Sequence, residues 1–190
     1  MNQPPLIITP LSDEQQQQVF DVTHAYIKKA ENIFDIKLKP VEIVFDLKGR
    51  AAGMYRIRSR NRGFFSRATR EIRYNSFIFS KYFEDNVKTT IPHEVAHYIS
   101  DMIFGLKNIK PHGTEWKHIM NSFDADASVT ANYDLSGIPL KKKTLHSYLC
   151  DCREHQISSI RHNRILRNQQ RYYCKICKQT LKYNQQLKSA

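Results

Sequence analysis

Hydrophobic positions divide the chain into helical and alternating stretches. From Asp13 to about Phe34, apolar side chains fall at Val19, Phe20, Val22, Ala25, Tyr26 and Ile27, a spacing that reads as a helix. Ser12 is a good N-cap, and Gln15 three residues on completes a capping box. Beyond Pro40, the apolar residues Val41, Ile43, Phe45 and Leu47 alternate as in a half-buried strand. Lys48-Gly49-Arg50 reads as a turn, Ala52 to Ile57 as a second strand, and Glu71 to Phe79 as a third, with Ile72, Tyr74, Ser76 and Ile78 on one face. The last two are separated by an Arg-rich loop, Arg58 to Arg70, with Phe64 and Phe65 at its tip.

Helical spacing returns after Lys81. Val95, Ala96, Ile99, Met102 and Ile103 form its apolar side, and Gly105 is the expected stop. Pro92 leaves two alternatives: a helix starting near Thr90 with the proline in its first turn, or a longer helix from Glu84 kinked at Pro92. Thr114 to Phe123 reads as one more helix, and 123–143 as polar, irregular chain. The order predicts an α+β fold, a small antiparallel sheet flanked by helices.

Chemistry concentrates on the helix that carries His93-Glu94-Val95-Ala96-His97. Residues four apart share a helix face, so two imidazoles point the same way and can grip one zinc ion. Glu94, beside the first ligand, is placed to act as general base. A catalytic zinc takes three protein ligands and leaves one position open. His112, in Pro111-His112-Gly113, is the candidate third ligand by position, with Glu115, His118 and Asp101 as rivals; Asp101, four residues past His97, reads as a solvated helix residue.

Charge and cysteines set the C-terminal stretch apart. Residues 1–140 hold 18 Lys and Arg against 16 Asp and Glu; residues 141–190 hold 12 against 2. That division predicts two domains, 1–140 and 141–190, the second a basic surface for a polyanion. All four cysteines, Cys150, Cys152, Cys174 and Cys177, lie in it. Paired C-x-C and C-x-x-C spacing favours metal over disulfides in an intracellular chain, and the layout matches a zinc ribbon. The first pair is one residue tighter than the usual knuckle, and His155 is a possible substitute ligand. Lys141, Lys142, Lys143, Arg153, Arg161, Arg164, Arg167 and Arg171 are the expected phosphate contacts. Tyr148, Tyr172 and Tyr173 suit either base stacking or a small core, the core being favoured. No apolar run is long enough to span a membrane, and the N-terminal residues lack the pattern of a secretory signal, so a cytoplasmic protein is expected.

The motifs G-R-A-A-G-M-Y, I-R-Y-N, I-P-H-E-V-A-H-Y, P-H-G-T-E-W-K-H-I-M, Y-L-C-D-C-R-E-H, R-H-N-R-I and Y-Y-C-K-I-C occur in an order that resembles the SprT family of zinc metalloproteases, bacterial relatives of the Spartan protease. The resemblance covers about residues 15–185. It implies a compact zincin-like protease domain followed by a zinc ribbon, with His93, His97 and His112 as ligands of a catalytic zinc, Glu94 as the catalytic residue and a second, structural zinc. Spartan-type proteases cleave proteins crosslinked to DNA and are activated by DNA. Three functions compete: a zinc endopeptidase acting on DNA-associated proteins, a zinc protease unrelated to DNA, and a nucleic-acid-binding regulator with little catalysis.

Overall fold

The computed structural model of the protein describes residues 8–59, 68–128, 132–140 and 144–184. It divides into two compact units, 1–140 and 141–190. The architecture is mixed α and β, with two small sheets. The tip of the Arg-rich loop, with Phe64 and Phe65, and Lys141–Lys143 lie outside the described residues.

Unit 1 opens with helix α1, Asp13–Phe34, capped by Ser12 and Gln15 in a reciprocal capping box. Strands β1 (Glu42–Val44), β2 (Gly53–Ser59) and β3 (Ala68–Tyr74) form one sheet in the order β1-β3-β2. Helices α2 (Ser76–Lys81), α3 (Phe83–Phe104) and α4 (Thr114–Ser122) complete the unit. α3 is its axis: it packs against α1, α2, α4 and the sheet. The core around it is continuous, from Val19 and Ile72 through Ile91, Val95 and Ile99 to Trp116 and Ile119.

Three expectations are corrected. The sheet is mixed rather than antiparallel: β1 runs parallel to β3, with Ile43 opposite Ile72, whereas β2 runs antiparallel to it, with Tyr55 also opposite Ile72. The predicted first two strands therefore do not form a hairpin; β3 lies between them, and 45–52 crosses over its end. Asn75 fixes that crossover. Its side-chain amide donates to the carbonyls of Gly49 and Ala51, its backbone N–H donates to Ala52, and Leu47 N–H donates to Tyr74. Gly49 turns there with φ of 101°, a conformation open to glycine.

The third strand ends at Tyr74 and not at Phe79. Asn75 Oδ1 accepts from the N–H groups of Phe77 and Ile78 and starts α2. Ile78 and Phe79, adjacent in sequence, are both fully buried, which a strand with one solvated face does not allow. Lastly, Asp101 is buried rather than solvated, as described below. Of the alternatives at Pro92, the longer helix holds: α3 passes through the proline without ending. The missing proline N–H leaves the Lys88 carbonyl without its helical donor.

Unit 2 pairs β4 (Leu145–Leu149) antiparallel with both β5 (Glu154–Ser158) and β6 (Lys182–Tyr183), and carries helix α5, Ser159–Leu166. Its core is small: Tyr148, Ile157, Cys174 and Leu181.

Asn75→Ala tests the crossover. It removes a helix cap and two part-buried hydrogen bonds to the Gly49 and Ala51 carbonyls, so unit 1 should lose on the order of 1–3 kcal/mol. Urea unfolding followed through the fluorescence of Trp116, the chain's one tryptophan, measures this; a loss below about 0.5 kcal/mol, the level of an ordinary surface substitution, would contradict it.

Candidate metal centre and active site

On α3, His93 and His97 present their rings on one helix face, separated by a single turn. The chain leaves α3 at Gly105, whose N–H donates to Asp101, and returns through 106–112 to α4. On that return His112 takes a left-handed φ of 55°, uncommon for a residue with a Cβ. The outcome is a triangle of nitrogens. His97 Nε2 lies 3.2 Å from His93 Nε2, and His112 Nε2 lies 3.0 Å from each. Trp116 on α4 meets all three rings, at centroid distances of 4.8, 5.7 and 4.7 Å, and its indole N–H donates to the His93 carbonyl. It buttresses the wall behind the three histidines.

Burial holds these imidazoles neutral. It lowers His93 to about 4 and, with the neighbouring imidazoles, His97 to about 3; His112 is lowered as well. Three ring nitrogens that face one point cannot satisfy one another with protons alone. Their spacing is close to the ~3.3 Å between ligand nitrogens of a tetrahedral zinc with bonds near 2.0–2.1 Å. The donor set thus fits a zinc ion. The rivals lie elsewhere: the exposed His118 ring packs beside Phe34, Glu115 reaches toward Gly113, and Asp101 is engaged in a network of its own.

Glu94 is 6% exposed, and burial raises its carboxyl to about 8. The backbone N–H of Tyr55 donates to it and opposes that shift. Strand β2 crosses directly over this carboxyl at Gly53: a Cβ there would stand 2.6 Å from Glu94 Cγ and 2.7 Å from Oε1. Sequence reasoning did not single out Gly53. A glycine inside a strand pattern is the signal of a close backbone approach, and it was available.

Tyr55 binds β2 to α3 a second time. Its hydroxyl donates to Asp101 Oδ2 at 2.7 Å, and Arg70 Nε from β3 reaches the same oxygen at 2.7 Å. Asp101 Oδ1 accepts from the N–H of Leu106, at the start of the return toward His112. Tyr74 is fully buried, with its hydroxyl hydrogen-bonded to Thr23. Tyr98 is core, its hydroxyl donating to the Lys39 carbonyl.

In unit 2 the sulfurs of Cys150, Cys152, Cys174 and Cys177 lie within 4.8 Å of one another. Cys150 and Cys152 are 3.4 Å apart, and Cys152 and Cys174 3.7 Å, near the ~3.8 Å edge expected of a tetrahedral zinc with bonds of ~2.3 Å. Backbone N–H groups of Cys177 and Ile176 stabilise the Cys174 thiolate and lower its pKa. The tight C-x-C pair therefore converges with the second pair. His155 stands outside that group, with Nε2 3.2 Å from Cys150 Sγ. Among the described basic candidates, Arg153, Arg161, Arg164, Arg167 and Arg171 are all exposed, and Arg161 lies over the Tyr172 ring at 5.6 Å. Tyr148 is core, while Tyr173 is exposed.

The SprT-like family model matches residues 23–144, which include the three histidines and Glu94. The chain belongs to the SprT-like family. It is 35% identical to Protein SprT of Vibrio atlanticus over 142 residues, 74% of this chain and 76% of the relative. Protein SprT of Vibrio parahaemolyticus is 30% identical over 83% of this chain and 87% of its own length, and that of Actinobacillus succinogenes 30% identical over 86% and 88%. No solved structure matches this SprT-like chain significantly. No helix among its described residues is long and apolar enough to cross a membrane.

Glu94 makes the metal-free protein sensitive to pH in a defined sense. Its carboxyl titrates near 4.5 when exposed and near 8 in the fold. Between those values the folded form holds a proton that the unfolded chain releases, so stability falls as pH rises. Glu94→Gln removes this loss and leaves the histidine titrations in place. In chelator, the variant's stability advantage should therefore widen from pH ~5 to ~8. Urea unfolding read by Trp116 measures it, and an advantage constant across that range would contradict the assignment.

Proposed function

We propose that the chain is a zinc-dependent endopeptidase with a zincin-like catalytic domain in 1–140 and a basic zinc ribbon in 141–190, acting on proteins associated with DNA. The observation that carries the peptidase reading is the buried Glu94 carboxyl next to three convergent, neutral imidazole nitrogens. Family membership supports it.

His93, His97 and His112 hold the catalytic zinc, and the four cysteines hold a structural one. Zinc in such a site supplies Lewis acidity toward water and the scissile carbonyl. Glu94 moves the proton: its carboxylate accepts it from the attacking water and returns it to the departing amine. Burial raises its proton affinity, and the Tyr55 N–H keeps the carboxylate in place meanwhile. β2 is an edge strand of its sheet, so an extended peptide can pair along its free edge beside Glu94. Gly53 lets the strand approach that carboxyl without a side chain intervening.

The DNA-associated reading is supported by the exposed arginines of unit 2 and its excess of 12 basic over 2 acidic residues. Such a surface reads phosphates and not base sequence.

Two zinc ions per chain are expected by elemental analysis. Glu94→Gln should keep both and lose proteolysis by a factor on the order of 100 or more, since it removes the base and no ligand. His112→Ala should lose one zinc together with activity. Full activity in Glu94→Gln would end the role of Glu94 as the base, and no proteolysis by the zinc-loaded unsubstituted protein would end the peptidase reading. For the tail, DNA affinity should fall on the order of a thousandfold between ~50 and ~200 mM salt if about six phosphates are contacted. Replacing Arg161, Arg164 and Arg167 together by Ala should flatten the salt slope by up to about three. An unchanged slope would move the contact away from α5, and proteolysis of a DNA-bound substrate indifferent to DNA would favour a protease unrelated to it.

A further inference from the structure

The cleft on the two sides of Glu94 is chemically unequal. One cavity, about 540 Å³, has a polar wall that includes Arg50, Asp85, Thr89 and Asp126. The other, about 380 Å³, lies on the side of His97 and His112 and is walled mainly by Met54, Leu106, Ile109, Pro111 and Trp116, with Lys110 also lining it. Gly53, His93 and Glu94 border both. The second volume is at the small end for a ligand pocket and has room for one bulky side chain.

Ser100 also lines this cavity. It follows His97 by three residues and His93 by seven, so all three share one helix face. Ser100 is fully buried, and its hydroxyl is the one buried side-chain polar atom without a hydrogen-bond partner among the described residues. Such an atom is costly unless something completes it. At the same time Met54 and Leu106, large apolar side chains of this wall, are 39% and 42% exposed. An apolar group entering the cavity would cover them.

Resting on the peptidase reading, the geometry points to this cavity as a subsite for one bulky, apolar substrate side chain with a polar tip, tyrosine foremost, flanking the bond that is cut. The ring meets the apolar wall, and the phenol reaches the Ser100 hydroxyl. Ser100 sets the depth of the pocket by being small and sets its preference by its hydroxyl. The polar cavity across Glu94 does not share this selectivity.

The test separates binding from cleavage. Otherwise identical blocked hexapeptides with Tyr, Phe, Ala or Asp at one position are titrated into zinc-loaded Glu94→Gln protein, with Trp116 fluorescence under tryptophan-selective excitation as the reporter. The same peptides are incubated with the unsubstituted protein and the cut is mapped by mass spectrometry. Tyr should bind tightest, Phe about 3- to 10-fold more weakly, as for one lost hydrogen bond. Ala and Asp should be weaker than Phe by a further ~10-fold or more. Ser100→Ala should erase the margin of Tyr over Phe and keep that of Phe over Ala. Ser100→Leu, which fills the floor, should erase both. Leu106→Ser, at an exposed position of the wall, should narrow the margin of Phe over Ala. The cut should fall beside the Tyr. Equal binding of the four peptides, or margins unmoved by Ser100→Leu and Leu106→Ser, overturns the subsite. Binding with the expected ranking but no cleavage supports the subsite and overturns the peptidase reading, while cleavage without any ranking does the reverse.

Discussion

Glu94 places a carboxyl in the middle of α3 with almost no contact with solvent, and an ionised carboxylate in such a place is opposed by several kcal/mol of lost hydration. The surroundings of unit 1 follow from that constraint. A donor must come close without bringing water, and the Tyr55 backbone N–H provides one. For a strand to approach a helix side chain this closely, the residue at the crossing cannot carry a Cβ, and Gly53 stands there. The strand must also be held to the helix away from the carboxyl, and the Tyr55 hydroxyl does this on Asp101. One residue thus ties β2 to α3 through both its backbone and its side chain.

Asp101 extends the arrangement to the third histidine. It accepts from Tyr55 on β2 and Arg70 on β3 with one oxygen, and from the Leu106 backbone with the other. A lone carboxylate this buried would be unfavourable; paired with Arg70 and fully hydrogen-bonded, it becomes a junction between the sheet, the helix end and the connection that returns His112. The two helix histidines need only α3 to face the same way. His112 needs the return path, and the left-handed backbone at that residue is held by the elements on either side.

What was legible in the sequence follows the distance over which each feature is determined. The capping box at Ser12 and Gln15, the facing pair His93 and His97 and the position of Glu94 beside them depend on residues within one helical turn, and local spacing reads them directly. The cysteine cluster was legible because spacing alone limits what four cysteines can do. His112 was preferred over Glu115, His118 and Asp101 from its position and from a family resemblance, and geometry brings it to the site. The insertion of β3 between β1 and β2 was not legible: an alternating strand pattern names the buried face and not the partner on either edge. Asp101 was misread because its burial depends on Tyr55 and Arg70, both remote in sequence. The strand pattern ran past Tyr74 because Ser76 and Ile78 keep the alternation, while the decisive contribution is the Asn75 side chain capping the next helix.

The two candidate metal groups stand in opposite relations to their units. Around the histidines, unit 1 has a large continuous core, so its elements are organised by apolar burial. Among its described residues, unit 2 has four buried hydrophobic residues, one of them Cys174 itself, and three short strands. So little apolar surface cannot offset the conformational entropy of some fifty residues. Four sulfurs in a small volume would, in addition, meet as thiols with few donors between them. A metal ion held by the four sulfurs would answer both deficits, since it would favour the thiolate forms and tie the two cysteine pairs across the intervening chain. The histidine group thus lies in a unit with a large core of its own, whereas the cysteine group would hold unit 2 together through a bound ion.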